Sequence, residues 1–410
     1  MTEPAASGLH AGSSWAVASV AVALVAGLLR TIVSARFLEP AELGLLGIAL
    51  LALGFVEAIS SPGLDTALVA IRRDIEQYTD AAFTIQLARG ILVFGFLWAA
   101  APAIAWVFGN DAATGMIRAV APVALLRGLS NPAVAVPIRR LDFRLVFWWS
   151  LPEILISLAL TLVLLIALDD VRALVIGLLA GQAAGTLASY GLVPRRPRLT
   201  AARERMAELL RFGRFVSGAR ALMYFSVYVD ATIVGLTMGT HTLGLYQFAT
   251  RIAELPIVTF TRAIGQVALP TLSGLRSSTA ALTRTWRTLL GYVLAVNGAA
   301  ALGIMLFGEV AVRIVAGPHW VEAVPVMRIL AVATVFRAVV VLTGQLLDAV
   351  GEPARTMKLN AARLAVLLMV LPALGGFAGV LGVAGGVLLA NAGAAVLALR
   401  LSNRALASAR

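Results

Sequence analysis

The sequence predicts an all-α, polytopic membrane protein, and three observations lead to that prediction. Of the 410 residues, 60% are apolar and 13% are charged, whereas soluble proteins contain about 45–50% apolar and about 25% charged residues. The mean hydropathy of the chain is +0.92. Apolar runs long enough to cross a bilayer follow one another from the N-terminus to the C-terminus. Together these runs predict about twelve transmembrane helices.

The predicted helices fall into two groups of six, separated by the longest connection in the chain. The predicted spans are 12–37, 41–61, 81–107, 113–138, 146–168, 172–193, 214–238, 243–268, 286–307, 322–347, 358–377 and 379–400. We therefore expect an N-terminal six-helix lobe at 1–193, a basic cytoplasmic linker at 194–213 and a C-terminal six-helix lobe at 214–410.

The two halves also resemble each other in sequence. The Thr-Ile-Val triplet at 31–33 recurs at 232–234, and Arg127 recurs as Arg337 in the same order along each half. Such matches favour a duplication. Because six helices bring the chain back to its starting side, both halves enter the membrane in the same direction. We expect two pseudo-symmetric lobes related by an axis along the membrane normal, around a central cavity.

The arginines predict the orientation of the chain. Twenty Arg or Lys residues lie in the connections after the even-numbered predicted helices and at the C-terminus, against four in the other connections. Cytoplasmic loops carry such an excess of positive charge, so both termini are predicted to be cytoplasmic. The net charge of +12 is accordingly expected to face anionic lipid rather than nucleic acid.

Charged residues inside the predicted helices point to a water-filled interior. In the eighth predicted helix, at about 100° per residue, Arg251, Glu254 and Arg262 fall within about 80° of one another. A charge at the bilayer centre costs at least about 2.5–3.5 kcal/mol, so such residues normally face a bundle interior or a wet cavity. The sequence therefore predicts a cationic cavity.

Arginine suits a phosphorylated substrate, because its planar guanidinium can bind phosphate oxygens in pairs. The candidate substrate-binding residues are Arg30, Arg89, Arg127, Arg220, Arg251, Arg262 and Arg337. The alternative for any of them is an intramembrane ion pair or a side chain that reaches to the interface from a helix end. For Arg127 and Arg337, a shared role in helix packing is equally compatible with the duplication.

Four acidic residues are candidates for ion coupling or gating: Glu57, Asp65, Asp230 and Glu254. Asp230 has no basic residue within one turn on its own helix, which makes it the preferred candidate for coupling to H⁺ or Na⁺. Glu254 lies one turn from Arg251 and could simply neutralise it. Asp65 is expected at the cytoplasmic end of the second helix. Polar stripes that begin at Glu153 and Gln182 could contact sugars or neighbouring helices.

Several classes of chemistry are disfavoured by the sequence. The chain has no cysteine and only three scattered histidines, so neither a metal site nor a cofactor is expected. It has no phosphate-binding Gly-x-x-x-x-Gly-Lys-Ser/Thr loop, and no catalytic group of residues stands out. We expect a transporter rather than an enzyme, driven by an ion gradient, the membrane potential or removal of the product.

Five segments of the sequence carry a family resemblance: Arg30–Gly44, Pro62–Ile71, Arg139–Leu145, Asp230–Leu275 and Val315–Val324. Through them the chain resembles the Wzx-like oligosaccharide flippases of the polysaccharide transporter group. These flippases belong to the MOP superfamily, together with the MATE exporters and the lipid II flippases. The resemblance implies a MATE-like fold and alternating-access transport of undecaprenyl-pyrophosphate-linked oligosaccharide across the bacterial inner membrane.

The product of that transport would be a cell-surface polysaccharide such as O-antigen, exopolysaccharide or capsule. The resemblance also implies membrane lipid, an H⁺ or Na⁺ coupling ion, a polysaccharide polymerase and other assembly proteins as partners. In lipid II flippases an arginine near the outer end of the first helix lines a cationic cavity, and Arg30 looks like that residue. Those flippases usually have two further helices, which this chain lacks.

Two alternative functions stay open at this point. A MATE-like, cation-coupled exporter of small molecules would need an acidic or aromatic cavity, against which the arginines argue. A membrane enzyme that processes glycans would need a sizeable external loop, and the predicted external connections are short.

Overall fold

The computed structural model of the protein describes residues 3–70, 75–140, 142–276 and 278–408. Within these ranges the regular secondary structure is entirely helical, which confirms the all-α prediction. The α-helices are α1 Glu3–Phe37, α2 Pro40–Ser60, α3 Leu64–Ala70, α4 Thr79–Val107, α5 Ala113–Val120, α6 Pro122–Leu129, α7 Ala135–Arg139, α8 Phe143–Leu168, α9 Arg172–Leu192, α10 Arg203–Pro256, α11 Arg262–Gly274, α12 Thr279–Val315, α13 Val324–Val350 and α14 Pro353–Ser408. Short 3₁₀ helices cover Ile75–Gln77, Pro132–Val134 and Pro318–Ala323, and a π-helix covers Ile257–Thr261.

Nine of the described helices are long and apolar enough to cross a membrane, or ten if one bent pair counts as a single span. Two of the nine, Arg220–Thr261 and Pro353–Ala407, are 42 and 55 residues long and each takes the place of two predicted spans. Each is broken by a glycine with a positive φ, Gly239 at +82° and Gly379 at +59°. Glycine adopts this conformation easily because it has no Cβ. Gly239 and Gly379 lie at the predicted boundaries between these spans. The count of twelve transmembrane helices stays a prediction.

The fourth predicted span is bent rather than continuous. Ala113–Leu129 and Pro132–Arg139 meet at 63°. Proline cannot donate the backbone hydrogen bond that would continue the helix, and Pro132 stands at the break. The buried side chain of Asn131 accepts a hydrogen bond from Ala133 N at 2.9 Å and so caps the segment that follows.

The chain separates into two compact units, Met1–Tyr224 and Phe225–Arg410. In the N-terminal unit, α8 packs against α1 and α9, and α4 packs against α6. The α8–α9 contact is close because glycines on α9, one turn apart, face polar residues on α8. A Cβ at Gly181 would lie 2.7 Å from the carbonyl oxygen of Glu153, so a larger residue would push the helices apart.

The basic connection between the sixth and seventh predicted helices is held against α4. Residues 193–202 are not helical, and α10 begins at Arg203. Arg195 Nε donates to Thr79 Oγ1 at 2.6 Å, and Arg198 N donates to Asp80 Oδ1 at 3.0 Å. The predicted linker is therefore packed on the first turn of α4. The predicted lobe boundaries at 193 and 214 stay predictions.

In the C-terminal unit, α13 lies at the centre and packs against α11, α12 and α14. Its buried residues Ala338, Leu342 and Leu346 meet Trp286 of α12 and Leu272 of α11 in one apolar cluster. This apolar cluster covers one part of the surface of α13. Polar side chains of other helices contact α13 elsewhere, at Arg337 and at the carbonyl oxygen of Ala333.

Candidate functional site

Arg127 on α6 is the centre of a polar group in the N-terminal unit. Its guanidinium forms an ion pair with Glu57 of α2, and its Nε donates to Gln182 Oε1 of α9 at 3.1 Å. The Arg127 side chain is 45% exposed, whereas that of Glu57 is 14% exposed. The cation can therefore be reached by a further anion, while its carboxylate partner lies deeper.

Arg89 and Arg220 contact the end of α2. Arg89 donates from Nε to Ser60 Oγ at 3.2 Å and from Nη2 to the carbonyl oxygen of Glu57 at 3.2 Å. Helix ends leave carbonyl groups without intrahelical partners, and arginine satisfies them well. Arg220 contacts Asp65 Oδ2 at 3.4 Å across the turn that follows α2. Arg89 thus holds the last turn of α2 and Arg220 the turn that follows it, and the substrate-binding roles of both and the gating role of Asp65 stay predictions.

Arg30 joins α1 to α8. Its Nη1 donates to Ser157 Oγ at 3.4 Å, and the side chain is half-buried. Ser157 belongs to the polar stripe that begins at Glu153. At Ser157 this stripe contacts both α9, through Gly181, and the guanidinium of Arg30 on α1.

In the C-terminal unit, Glu254 forms an ion pair with Arg337 of α13. The Glu254 carboxylate thus has a partner on α13, and its neutralisation of Arg251 stays a prediction. The pair repeats the arrangement in the other unit. The arginines related by the duplication each bind a glutamate, and each glutamate lies on the second predicted helix of its half.

The predicted stripe on the eighth helix does not continue evenly to Arg262. The π-helix Ile257–Thr261 lies between Glu254 and Arg262. A π-helix bonds residues five apart, so the 100° step of an α-helix does not hold there. The backbone of Arg262 begins α11, whereas its side chain lies outside the described part of the structure.

Asp230 is held by a tyrosine. Its Oδ2 accepts a hydrogen bond from the Tyr246 hydroxyl at 2.7 Å, and its Oδ1 accepts one from Ala231 N at 2.8 Å. Tyr246 is fully buried. The carboxylate is thus oriented by α10 itself, on both sides of the break at Gly239.

Arg363, which the sequence analysis did not select, lies 9% exposed inside the C-terminal unit. Its Nε donates to Asn391 Oδ1 at 2.7 Å, and its Nη1 donates to Ser226 Oγ at 2.9 Å. Asn391 in turn donates to the carbonyl oxygen of Ala333 at 3.3 Å. The one available signal was the arginine within an apolar run. Among the described residues, no group of three or more Asp, Glu or His side chains could hold a metal ion.

Comparison with known families identifies the chain. The family described as "Polysaccharide biosynthesis protein" matches residues 33–325. The chain belongs to that family. Among curated members it is 22% identical to the lipopolysaccharide biosynthesis protein WzxC of Escherichia coli K12, over 92% of this chain and 77% of that protein.

Solved structures show that this family member has the MATE-like fold. An inward-facing multidrug-resistance MATE transporter of the MOP superfamily superposes with a TM-score of 0.77 at 16% identity, over 94% of this chain and 95% of that chain. The lipid II flippase MurJ, in an inward closed conformation, superposes with a TM-score of 0.76 at 17% identity, over 96% and 87% of the two chains. The predicted MATE-like, all-α fold class is confirmed.

Proposed function

We propose that the protein is a flippase that moves undecaprenyl-pyrophosphate-linked oligosaccharide across the bacterial inner membrane by alternating access, for the synthesis of a cell-surface polysaccharide. Membership of the polysaccharide biosynthesis family supports this function. The fold, which it shares with a protein described as a lipid II flippase, provides the framework. Both termini are proposed to be cytoplasmic, from the distribution of arginines.

The accessible Arg127, already held by two acceptors, is the observation that carries the proposal. A guanidinium binds a phosphate through two parallel charge-assisted hydrogen bonds, the same geometry that it offers a carboxylate. A diphosphate can therefore bind the exposed side of Arg127 while Glu57 stays paired with the same guanidinium, so that neither carboxylate nor arginine is left as a bare charge in the membrane. Arg337 offers a similar pair in the C-terminal unit, with the arginine 20% and Glu254 29% exposed. The substrate-binding roles of Arg30, Arg251 and Arg262 belong to the same proposal.

Asp230 is proposed to couple transport to an H⁺ or Na⁺ gradient. It is an intramembrane carboxylate on the seventh predicted helix, bound by Tyr246. Because α10 is broken at Gly239, a change in the charge of Asp230 would act on a helix that already has a bend. A polysaccharide polymerase and other assembly proteins are the proposed partners on the outer side.

The test combines accumulation in cells with transport in vesicles. Removal of the protein is expected to leave a lipid-linked oligosaccharide on the inner leaflet, and its chemical analysis identifies the cargo. In proteoliposomes, the purified protein should move that same lipid between leaflets. Export of cationic dyes without lipid movement would favour a MATE-like exporter, and conversion of the glycan would favour an enzyme.

Arg127→Ala is expected to reduce flipping about ten- to a hundredfold, since a hydrogen bond to a charged group contributes about 1.5–3 kcal/mol. Arg127→Lys should recover part of the rate, because lysine keeps the charge and loses the paired geometry. Arg172→Ala is the matched control, because Arg172 is exposed at the start of α9 and its ion pair is with the neighbouring Asp170. Wild-type rates for both Arg127→Ala and Arg337→Ala, at normal protein levels, would remove these pairs from the transport path.

A further inference from the structure

Glu153 is an ionisable residue in the membrane that the proposed transport path does not use. It lies on α8, within the candidate span Phe143–Leu168, and it is half-buried. Its carboxyl oxygens form no hydrogen bond or ion pair with any residue that the structure describes. An isolated carboxylate in this position costs at least about 2.5–3.5 kcal/mol, so a second species must neutralise it.

The surroundings of Glu153 leave room for a carboxyl group and little else. Gly185 of α9 faces it, and a Cβ at that position would lie 2.8 Å from Glu153 Oε2 and 3.1 Å from Glu153 Cβ. Trp149, one turn earlier on α8, donates from Nε1 to the carbonyl oxygen of Gly185 at 3.1 Å and fixes the two helices in this register. The space beside α9 is therefore specific to glycine.

Arg127 lies beside the same part of α9 as Glu153. Its Nε donates to Gln182, one turn before Gly185, and its guanidinium is also paired with Glu57. From α1, Arg30 reaches Ser157, one turn further along α8. The other neighbour, α9, presents Gly185 and the uncharged Gln182. Glu153 thus faces a guanidinium that already has a carboxylate.

We propose that Glu153 is a proton-binding site whose occupancy is linked to the partner of Arg127. While Arg127 is held by Glu57 or by a phosphate, Glu153 carries a proton on one carboxyl oxygen and is neutral. When Arg127 turns to Glu153, that proton leaves to water and the ionised carboxylate pairs with the guanidinium. The biological meaning of this exchange rests on the proposed transport function.

A proton fits this site better than a metal cation. Sodium, like the other hard cations, needs several oxygen ligands, and the part of α9 against the Glu153 carboxyl group is Gly185, which has no side chain to supply one. The nearby guanidinium also repels a second cation, whereas a protonated carboxyl group is neutral and is tolerated.

The test is an infrared pH titration of the purified, full-length protein in lipid, in potassium chloride and without any glycan substrate. The wild type is expected to show a carboxylic-acid C=O band that titrates and that is absent from Glu153→Gln. Arg127→Gln should move the midpoint of that band to higher pH, because loss of the nearby positive charge disfavours the carboxylate. A purely structural role of Arg127 would leave the midpoint unchanged.

Gly185→Ala provides a second variant that keeps the glutamate. It should displace the band, whereas the control Gly191→Ala should not, since a Cβ at Gly191 meets no atom within 4 Å. Absence of any band that depends on Glu153 would overturn the proposal. A band change that requires sodium at constant pH would also overturn it, in favour of a sodium site. Because no substrate is present, these outcomes are independent of whether the protein flips a glycan.

Discussion

Arg363 shows how a single charged residue can organise several helices inside a membrane protein. Its hydrogen bonds to Asn391 and Ser226 join both parts of α14 to α10. We predict that Arg363→Ala lowers the free energy of unfolding by at least about 1.5–3 kcal/mol, because a hydrogen bond to a charged group contributes about that much and two buried partners lose theirs. Denaturation in SDS measures this loss. Arg404→Ala, at an exposed position on the same helix, should change stability little. Equal stability of the two variants would mean that water replaces the guanidinium.

The roles of individual arginines could be predicted from the sequence only in part. A charge in an apolar run indicated that Arg127 and Arg337 need partners, and the duplication indicated that they share a role. Their glutamates could not be chosen, because Glu57 and Arg127 are 70 residues apart and Glu254 and Arg337 are 83 apart. Arg363 was missed because its neutral partners lie 28 and 137 residues away. Pairing at such distances depends on packing, which local periodicity does not report.

Long helix α10 shows what a glycine contributes at the scale of a secondary-structure element. Gly239 has φ +82° and ψ 178°, a region that is essentially restricted to glycine. We predict that Gly239→Ala destabilises the protein by about 1–3 kcal/mol, or straightens α10 and lowers transport. The control is Gly303→Ala on α12, where the added Cβ meets no atom within 4 Å and alanine favours the helix by about 0.8–1 kcal/mol. Thermal unfolding compares them, and an unchanged Gly239→Ala variant would show that the bend is not required.

Helix positions were more predictable than helix continuity. Apolar runs located the spans, and the turn expected at residues 239–242 coincides with the break in α10. The π-helix Ile257–Thr261 directly follows Pro256, which cannot donate a backbone hydrogen bond, and the helical periodicity used for the prediction does not register this local signal. The π-helix changes the angle around the helix axis between the side chains of Arg251 and Arg262. The 100° step from which a shared helix face was predicted therefore does not apply beyond Pro256. A local change in hydrogen bonding thus outweighed the sequence pattern.

The orientation of the whole molecule in the membrane is predicted from one physical asymmetry, the excess of arginine in alternate connections. The chain contains no cysteine, so single cysteines can be introduced at Ala201, His241 and Ser273, all of which are exposed. Ala201 lies in the basic connection before α10, His241 follows the break at Gly239, and Ser273 lies near the end of α11. If the arginines face the cytoplasm, a membrane-impermeant thiol reagent applied to intact cells should label position 241 alone, and opened vesicles should label all three. Labelling of position 201 from outside would reverse the orientation. The arginine-rich connections would then lie outside the cell, whereas a flippase takes its lipid-linked substrate from the inner leaflet. The proposed direction of transport would therefore be contradicted as well.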